Sequence, residues 1–318
     1  MRITIRASFT KLTAKCHCFF IRFCQPEVTT RQPTGPGMQE YRSVFISDFH
    51  LGTPDCQADY LLDFLDTVHC HTLYLVGDIV DLIAMQRRVH LPSSHVQVVQ
   101  RLLAMAKSGV RVVYVPGNHD EFMRRFSGQA ISGVEIHHKI VHITADGRRF
   151  MVCHGDQFDQ VVRCSPLMLL VGDRAHGLLL RMNRWFNAWR RLQGKPYWSL
   201  AAWLKGRIGK ARTFIRRFEL AALTAAEKGN CDGFICGHIH SAGFLRSPDG
   251  LYCNDGDWVE HCTALVEGLD GRLALLHWSE KPSVIATEPD APAPEVSSDR
   301  RPVIDILPAA FLEQVNRI

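Results

Sequence analysis

The chain has 318 residues, 46% of them hydrophobic and 22% charged, which allows one large or two ordinary globular domains and excludes a fibre or a disordered tail. Lys and Arg number 37 against 32 Asp and Glu, a net +5, but this average conceals two opposed fields. Residues 1–37 hold six basic residues and one acid, the whole of the surplus, while the neutral remainder contains a stretch, 163–217, with thirteen basic residues and only Asp173 as an acid.

No run of about 18 apolar residues occurs, so nothing in the sequence reads as a bilayer-spanning helix. At the N-terminus the short apolar patch Cys18 to Phe23 is interrupted by Arg22, a weak match to a signal peptide. Residues 1–37 are therefore read as an extension that is disordered or lies upstream of the working start, with Met38 following Pro33, Gly35, Pro36 and Gly37. Eleven cysteines without framework spacing suggest reduced thiols in a cytoplasmic protein. Cys16-x-Cys18 and Cys231-x4-Cys236 each lack a matching second pair, and core thiols are the expectation.

From residue 38 to 278 short apolar runs alternate with amphipathic stretches, the pattern of an α/β domain. Strands are expected at Ser43 to Ser47, Thr72 to Val76, Val110 to Val115 and Arg149 to Cys153. Helices are expected at Ala58 to Val68 and at Ser93 to Lys107, the latter opened by the cap candidates Ser93 and Ser94. Further strands follow at Gly233 to Cys236, Ala264 to Val266 and Leu273 to Trp278.

An insertion at about 163–229 breaks this series. Leu178, Met182, Trp185, Trp189 and Leu192 are spaced by fours and threes, and after Gly194 and Pro196 the rhythm resumes at Leu204, Ile208, Ala211, Ile215, Phe218 and Ala222. This predicts a helical hairpin with two apolar stripes, carrying the +12 and four of the six tryptophans. Residues 279–318 are read as a Pro-rich linker and a short C-terminal segment.

Five clusters of His, Asp and Asn fall where strands stop: Asp48-Phe49-His50, Gly77-Asp78-Ile79-Val80-Asp81, Gly117-Asn118-His119-Asp120, His154-Gly155-Asp156 and Gly237-His238-Ile239-His240. Singly each is weak, because such pairs are more often hydrogen-bonded surface or core groups than ligands. Together they supply the mixed imidazole and carboxylate shell that two divalent cations about 3.5–4 Å apart require. Alternate residues of an extended strand end share a side, which is how Asp48 with His50, and His238 with His240, are expected to converge. Asp78 suits a bridge, Asn118 adds a neutral oxygen, and the glycines let the backbone approach closely.

In this order the motifs resemble the calcineurin-like metallophosphoesterase superfamily over about residues 43 to 278. The resemblance implies an α/β fold, a two-layer β-sandwich flanked by helices, here with a helical-hairpin insertion. It also implies two divalent metal ions: Asp48, His50, Asp78 and His240 would hold one, and Asp78, Asn118, His154 and His238 the other. His119 would contact the phosphate or protonate the leaving oxygen, Asp120 would orient His119, and water of lowered pKa would attack phosphorus in line.

Among the superfamily's branches, the basic, Trp-rich insertion resembles that of the UDP-2,3-diacylglucosamine diphosphatases of lipid A biosynthesis, and Gly256 to Cys262 resembles the strand after their Gly-His-x-His motif. The branch implies Mn2+, release of UMP and 2,3-diacylglucosamine 1-phosphate, and a cytoplasmic protein peripheral to the inner face of the membrane. Arg181, Arg184, Trp185, Trp189, Arg190 and Arg191 are the candidate contacts to the lipid-linked nucleotide sugar or an anionic membrane surface. The chain departs from that branch in having His119 where its best-known members have Arg, and in a longer insertion and tail. A phosphodiesterase or nuclease is the alternative, although few Phe or Tyr residues interleave with the hairpin's bases for nucleic-acid stacking; an inactive scaffold is the remote one, since all seven expected ligands are present.

Overall fold

The computed structural model describes residues 39–159, 182–183, 185–187, 189–190, 192–195 and 209–290. Two sheets form the framework. The first has eight strands and the second five. In the first, β1 (Gln39–Ile46), β2 (Val68–Leu75), β3 (Arg111–Tyr114) and β5 (Val134–Ile136) run parallel. β11 (Thr263–Glu267) pairs antiparallel with β1 and continues through β12 (Leu273–His277) to β13 (Ser283–Thr287), while β4 (Ala130–Ile131) closes the other edge. The second sheet sets β7 (Arg149–Val152), β8 (Gly233–Cys236) and β10 (Gly250–Asn254) in parallel, flanked by antiparallel β6 (Ile140–Ile143) and β9 (Gly243–Ser247).

Strands buried on both faces need apolar residues at every position, which is why the central runs lack alternation. Phe45, Tyr74, Val113 and Leu265 point to the second sheet, meeting Phe150, Val152 and Ile235. Their neighbours Val44, Ile46, Leu73, Leu75 and Val112 point the other way, onto α1 (Ala58–Thr67) and α3 (Ser93–Lys107). α3 presents Val98, Leu102 and Met105 to them, a helical spacing of four and three; each such burial contributes about 1.5–3 kcal/mol. The sheets are also tied by polar groups: His142 on β6 bonds to the Tyr74 hydroxyl and to buried Glu267, which Arg42 bonds as well.

The expected α/β architecture with two sheets and flanking helices is present. Several local expectations differ. The cap of α3 is Pro92, without a side-chain hydrogen bond, and Ser93 and Ser94 lie inside the helix. Residues 283–287, read as the start of a linker, form edge strand β13, because the antiparallel partner β12 supplies a ladder that no local pattern announces. Gly256 to Cys262 is a buried turn rather than a strand: Asp257 Oδ1 accepts the amides of Val259, Glu260 and His261, and this closes the chain on itself.

The second apolar series belongs to α4 (Gly209–Lys228), which packs Phe218, Ala221 and Ala222 into the core beneath β8 and β10. It is a core helix, and Leu204 and Ile208 lie outside the described residues. Helical residues 182–183, 185–187 and 189–190 do not bury the first stripe. Met182, Trp185, Trp189 and Leu192 are exposed, Trp185 by 82% and Leu192 by 88%, while Asn183 and Asn187 are buried.

Candidate metal centre

Topology gathers the candidate residues at one end of the sandwich. Asp48 and His50 follow β1, Asp78 follows β2, and Asn118 and His119 follow β3; His154 follows β7, and His238 and His240 follow β8. Each group thus leaves the carboxyl end of a parallel strand, where α/β sheets present their loops together. The β1 and β2 loops bond to one another, Asp48 N to Gly77 O at 3.0 Å and His50 N to Asp78 O at 2.9 Å.

The convergence does not come from extended strand ends. Asp48, His50, Asp78, His238 and His240 have φ between 48° and 68°, five of the eight non-glycine positive-φ residues among the described ones. The left-handed region costs an L-residue roughly 1–2 kcal/mol, and its concentration here marks a site whose geometry is imposed by its surroundings. Two glycines are required for close approach. A Cβ at Gly117 would fall 2.3 Å from Asp78 Oδ1, and one at Gly237 only 2.1 Å from Ser47 Oγ.

Asp78 lies between two sets of groups. Its Oδ2 is 3.7 Å from His50 Nε2 and 3.4 Å from His154 Nε2. On one side His240 Nε2 is 3.1 Å and His50 Nε2 3.8 Å from Asp48 Oδ1. Potential ligand atoms cluster as Asp48, His50 and His240, as Asp78, His154 and His238, and as His50, Asp81 and His119. Asn118 Oδ1 and His154 Nε2 are among the buried polar atoms of this region that have no hydrogen-bond partner. Leaving such atoms bare costs about 1–3 kcal/mol each. The other His154 nitrogen, Nδ1, bonds to Val76 O at 2.8 Å, which orients the ring and leaves Nε2 available. Mixed imidazole and carboxylate clusters with bare inward acceptors fit divalent cations.

Without cations the histidines neutralise the carboxylates. Burial opposes charge on His154, but Asp78 beside it outweighs that and lifts its pKa to about 10. His50 is likewise disfavoured by burial yet raised well above the ordinary histidine value by Asp48, Asp81 and Asp78. Asp48 and Asp78 move the opposite way: burial raises them, and His240 for Asp48, His154 for Asp78, bring them far below the usual carboxylate range.

Asp120 does not orient His119. Fully buried, it accepts the amides of Gly117 at 2.6 Å and Ile79 at 2.8 Å and the Tyr114 hydroxyl at 2.5 Å, and so fixes the turn that carries Asp78. Its side chain is taken up by backbone donors because the β2 and β3 loops leave those amides without other partners. Asp81 lies where Asp120 was expected. Its Oδ2 is 2.9 Å from His119 Nδ1 and 3.1 Å from His50 Nδ1, and its Oδ1 caps α2 (Leu82–Arg87) at Ala84 N. The signal for it was present, as the second Asp of Gly77-Asp78-x-x-Asp81 at a helix N-cap position.

Two further residues had no sequence signal. Ser47 Oγ lies 2.6 Å from both Asp48 Oδ2 and Asp255 Oδ1. One hydroxyl has one proton, so Asp255 is held as the neutral acid, consistent with burial raising its pKa well above the carboxylate range. Asp159 Oδ1 lies 2.8 Å from His238 Nε2. Of the candidate substrate or membrane contacts, Arg190 stacks over Phe186, and Trp189 receives Lys195, which was not among them, over its ring. Arg181, Arg184 and Arg191 lie outside the described residues.

A family model described as calcineurin-like phosphoesterase matches residues 41–242, a span that contains all seven candidate ligands. The chain belongs to this family. It is thereby a member of a phosphoesterase family whose His and Asp clusters suit divalent metal ions. No curated protein sequence matches the chain significantly. Solved structures similar to this phosphoesterase include vacuolar protein sorting 29 from Cryptosporidium parvum, 15% identical with a TM-score of 0.40, covering 77% of this chain and 95% of that one. An archaeal phosphodiesterase is 14% identical, TM-score 0.32, covering 76% and 99%. A predicted phosphoesterase from Streptococcus pneumoniae is 12% identical, TM-score 0.31, covering 77% and 97%. Likeness at this level bears on neither substrate nor partner. Among the described residues no helix is long and apolar enough to cross a membrane.

Proposed function

We propose that this phosphoesterase is a dinuclear-metal hydrolase that cleaves UDP-2,3-diacylglucosamine to UMP and 2,3-diacylglucosamine 1-phosphate. The observation that carries the hydrolase reading is the Asp78 carboxylate, lying between His50 and His154 at 3.7 and 3.4 Å. Asp48, His50, Asp78 and His240 would hold one cation, and Asp78, Asn118, His154 and His238 the other, with Mn2+ as the expected metal. Bound there, the two cations supply water of lowered pKa and neutralise charge on the phosphoryl oxygens.

The chain's own groups do the rest. Asp81 lies 2.9 Å from His119 Nδ1, and engagement of that nitrogen would leave Nε2 to bond to a phosphoryl or leaving oxygen and to deliver a proton as that oxygen departs. Asp120 and Asp255, acting through backbone amides and Ser47, hold Asp78 and Asp48 in their strained conformations.

The lipid-linked part of the reading is supported by the insertion. Met182, Trp185, Trp189 and Leu192 expose apolar surface next to Arg190 and Lys195, a combination suited to acyl chains beside phosphate or to an anionic membrane surface. A nuclease that uses the same basic segment is the second reading, favoured by the +12 balance of residues 163–217. Purified protein with Mn2+, offered UDP-2,3-diacylglucosamine, bis-p-nitrophenyl phosphate and single-stranded DNA, separates these readings. Release of UMP as the preferred reaction is expected. No release of UMP, alongside good hydrolysis of the diester or DNA, would sink the substrate assignment, and no turnover with any of them would sink the hydrolase.

Metal loading should depend steeply on pH. His154, whose pKa is lifted to about 10, is protonated at pH 7 in the metal-free protein, and His50 is shifted in the same direction, well above the ordinary histidine value. Each must lose its proton to bind a cation, so affinity rises with pH, by up to about 100-fold per pH unit for two protons, and levels off only as pH approaches about 10. Calorimetric titration with Mn2+ in buffers of different ionisation enthalpy should register about two protons released. Release of none would contradict the assignment of these two ligands.

A further inference from the structure

His238 has two nitrogens, and the structure commits one of them to a carboxylate that is not among the candidate ligands. Its Nε2 meets Asp159 Oδ1 at 2.8 Å. Its ring packs edge-on against His154 at 5.0 Å and stacks on Phe218 at 6.1 Å. Its amide donates to Asp48 Oδ2 at 2.9 Å. His238 nonetheless stands among the three groups, with Asp78 and His154, whose ligand atoms lie within 4.8 Å of one another. A ring held through Nε2 has Nδ1 left to offer.

The backbone beside Asp159 is firmly placed. Phe158, the residue before it, is fully buried and packs against Phe218 at 5.5 Å and Phe234 at 5.6 Å. Gly155, at φ 115°, turns the chain into the short 3-10 helix Asp156–Phe158, and Arg124 bonds to Asp156 at 2.7 Å. Asp159 is only partly exposed, and this framework holds its carboxylate within hydrogen-bond distance of the His238 ring.

We propose that Asp159 is a positioning residue for the second metal site. Its carboxylate accepts the Nε2–H of His238, which sets the tautomer with a lone pair on Nδ1 and holds the ring at the angle from which Nδ1 meets the cation shared with Asp78, Asn118 and His154. The inference rests on the dinuclear reading above and adds to it a carboxylate–imidazole–metal relay. Its effect is expected at one of two cations, because Asp159 bonds to His238, a candidate ligand of that cation alone.

The test is Mn2+ binding by calorimetry, together with electron paramagnetic resonance, which distinguishes an isolated Mn2+ from a coupled pair. Wild type should load two equivalents and show the coupled signal. Asp159→Ala should weaken one equivalent by about 10- to 100-fold, leave the other unchanged, and show isolated Mn2+ at concentrations that give coupled pairs in wild type. Asp159→Asn, whose side-chain oxygen still accepts Nε2–H, should restore most of the loss. Thermal unfolding of the metal-free variants confirms folding, and Asp159→Ser replaces the alanine variant if that one does not fold. Unchanged binding in the alanine or serine variant overturns the proposal, as does an asparagine variant no better than alanine, which would make the carboxylate a direct ligand. If wild type binds a single Mn2+, the dinuclear reading fails and the proposal fails with it. Two equivalents in wild type with an unaffected variant overturn the proposal alone.

Discussion

Replacing Asp78 by alanine should abolish hydrolysis, with kcat falling on the order of 10³-fold or more, and should reduce Mn2+ loading from two equivalents to one or none. The size of the effect follows from position. Among the described residues Asp78 is the one carboxylate that lies within 4 Å of both His50 and His154, so its loss removes a donor from each candidate cation site and separates two positive ions that need a shared anion. The substitution acts on the metal-free protein too. Burial disfavours the His154 imidazolium, and Asp78 is the leading cause that holds it charged; without that partner its pKa falls. Asp78→Asn keeps the volume and the contact with the His119 amide, which Asp78 Oδ1 accepts at 2.8 Å, and should still lose metal. Metal analysis after gel filtration, with hydrolysis of bis-p-nitrophenyl phosphate measured in parallel, checks both. An Asp78→Asn protein that keeps two Mn2+ and full activity would remove the basis for the site.

The second large effect is at His119. His119→Ala should lower kcat by about 10²- to 10⁴-fold, the range of a lost general acid, while leaving Mn2+ stoichiometry at two. The ring lies 2.9 Å from Asp81 and edge-on to His50 at 4.6 Å between centroids, at the margin of the cluster, and its side chain is about one-third exposed. The loss should depend on the leaving group: small for p-nitrophenolate, which departs without a proton, and large for a poorer leaving group. Asp81→Asn should behave differently, shifting the pH profile and also weakening Mn2+ binding, because Asp81 orients His50 as well as His119. Equal losses on both leaving groups would assign His119 a role in holding phosphate rather than in proton delivery.

Much of this site was legible in the chain. Five clusters could be located because each follows a strand whose apolar run is visible, and strand ends in a parallel sheet fall at one edge; the resemblance of their order to the phosphoesterase motifs then named the seven candidate ligands. The supporting residues were not legible. Asp159 lies 79 positions from His238, Asp255 lies 208 from Ser47, and neither belongs to a recurring spacing. Asp120 was misassigned for a related reason: adjacency to His119 in sequence suggested contact, whereas the turn aims the carboxylate back at the amides of residues 117 and 79. The insertion failed in another way. Its two apolar stripes have the same rhythm, yet Phe218 and Ala222 on α4 are buried while Trp185 and Leu192 are exposed, and periodicity reports that a face is apolar without reporting what covers it.

By itself, then, the sequence determined the central strands, the flanking helices and the chemical groups that end them, since strand propensity, apolar runs and the order of His, Asp and Asn are local properties. Only the tertiary structure decided how those groups meet. The left-handed turns at Asp48, His50, Asp78, His238 and His240, the placing of Asp78 between two histidines, and the partnership of Asp159 with His238 depend on two sheets packing face to face. That packing is driven by burial summed over the whole core, and no short segment records its outcome.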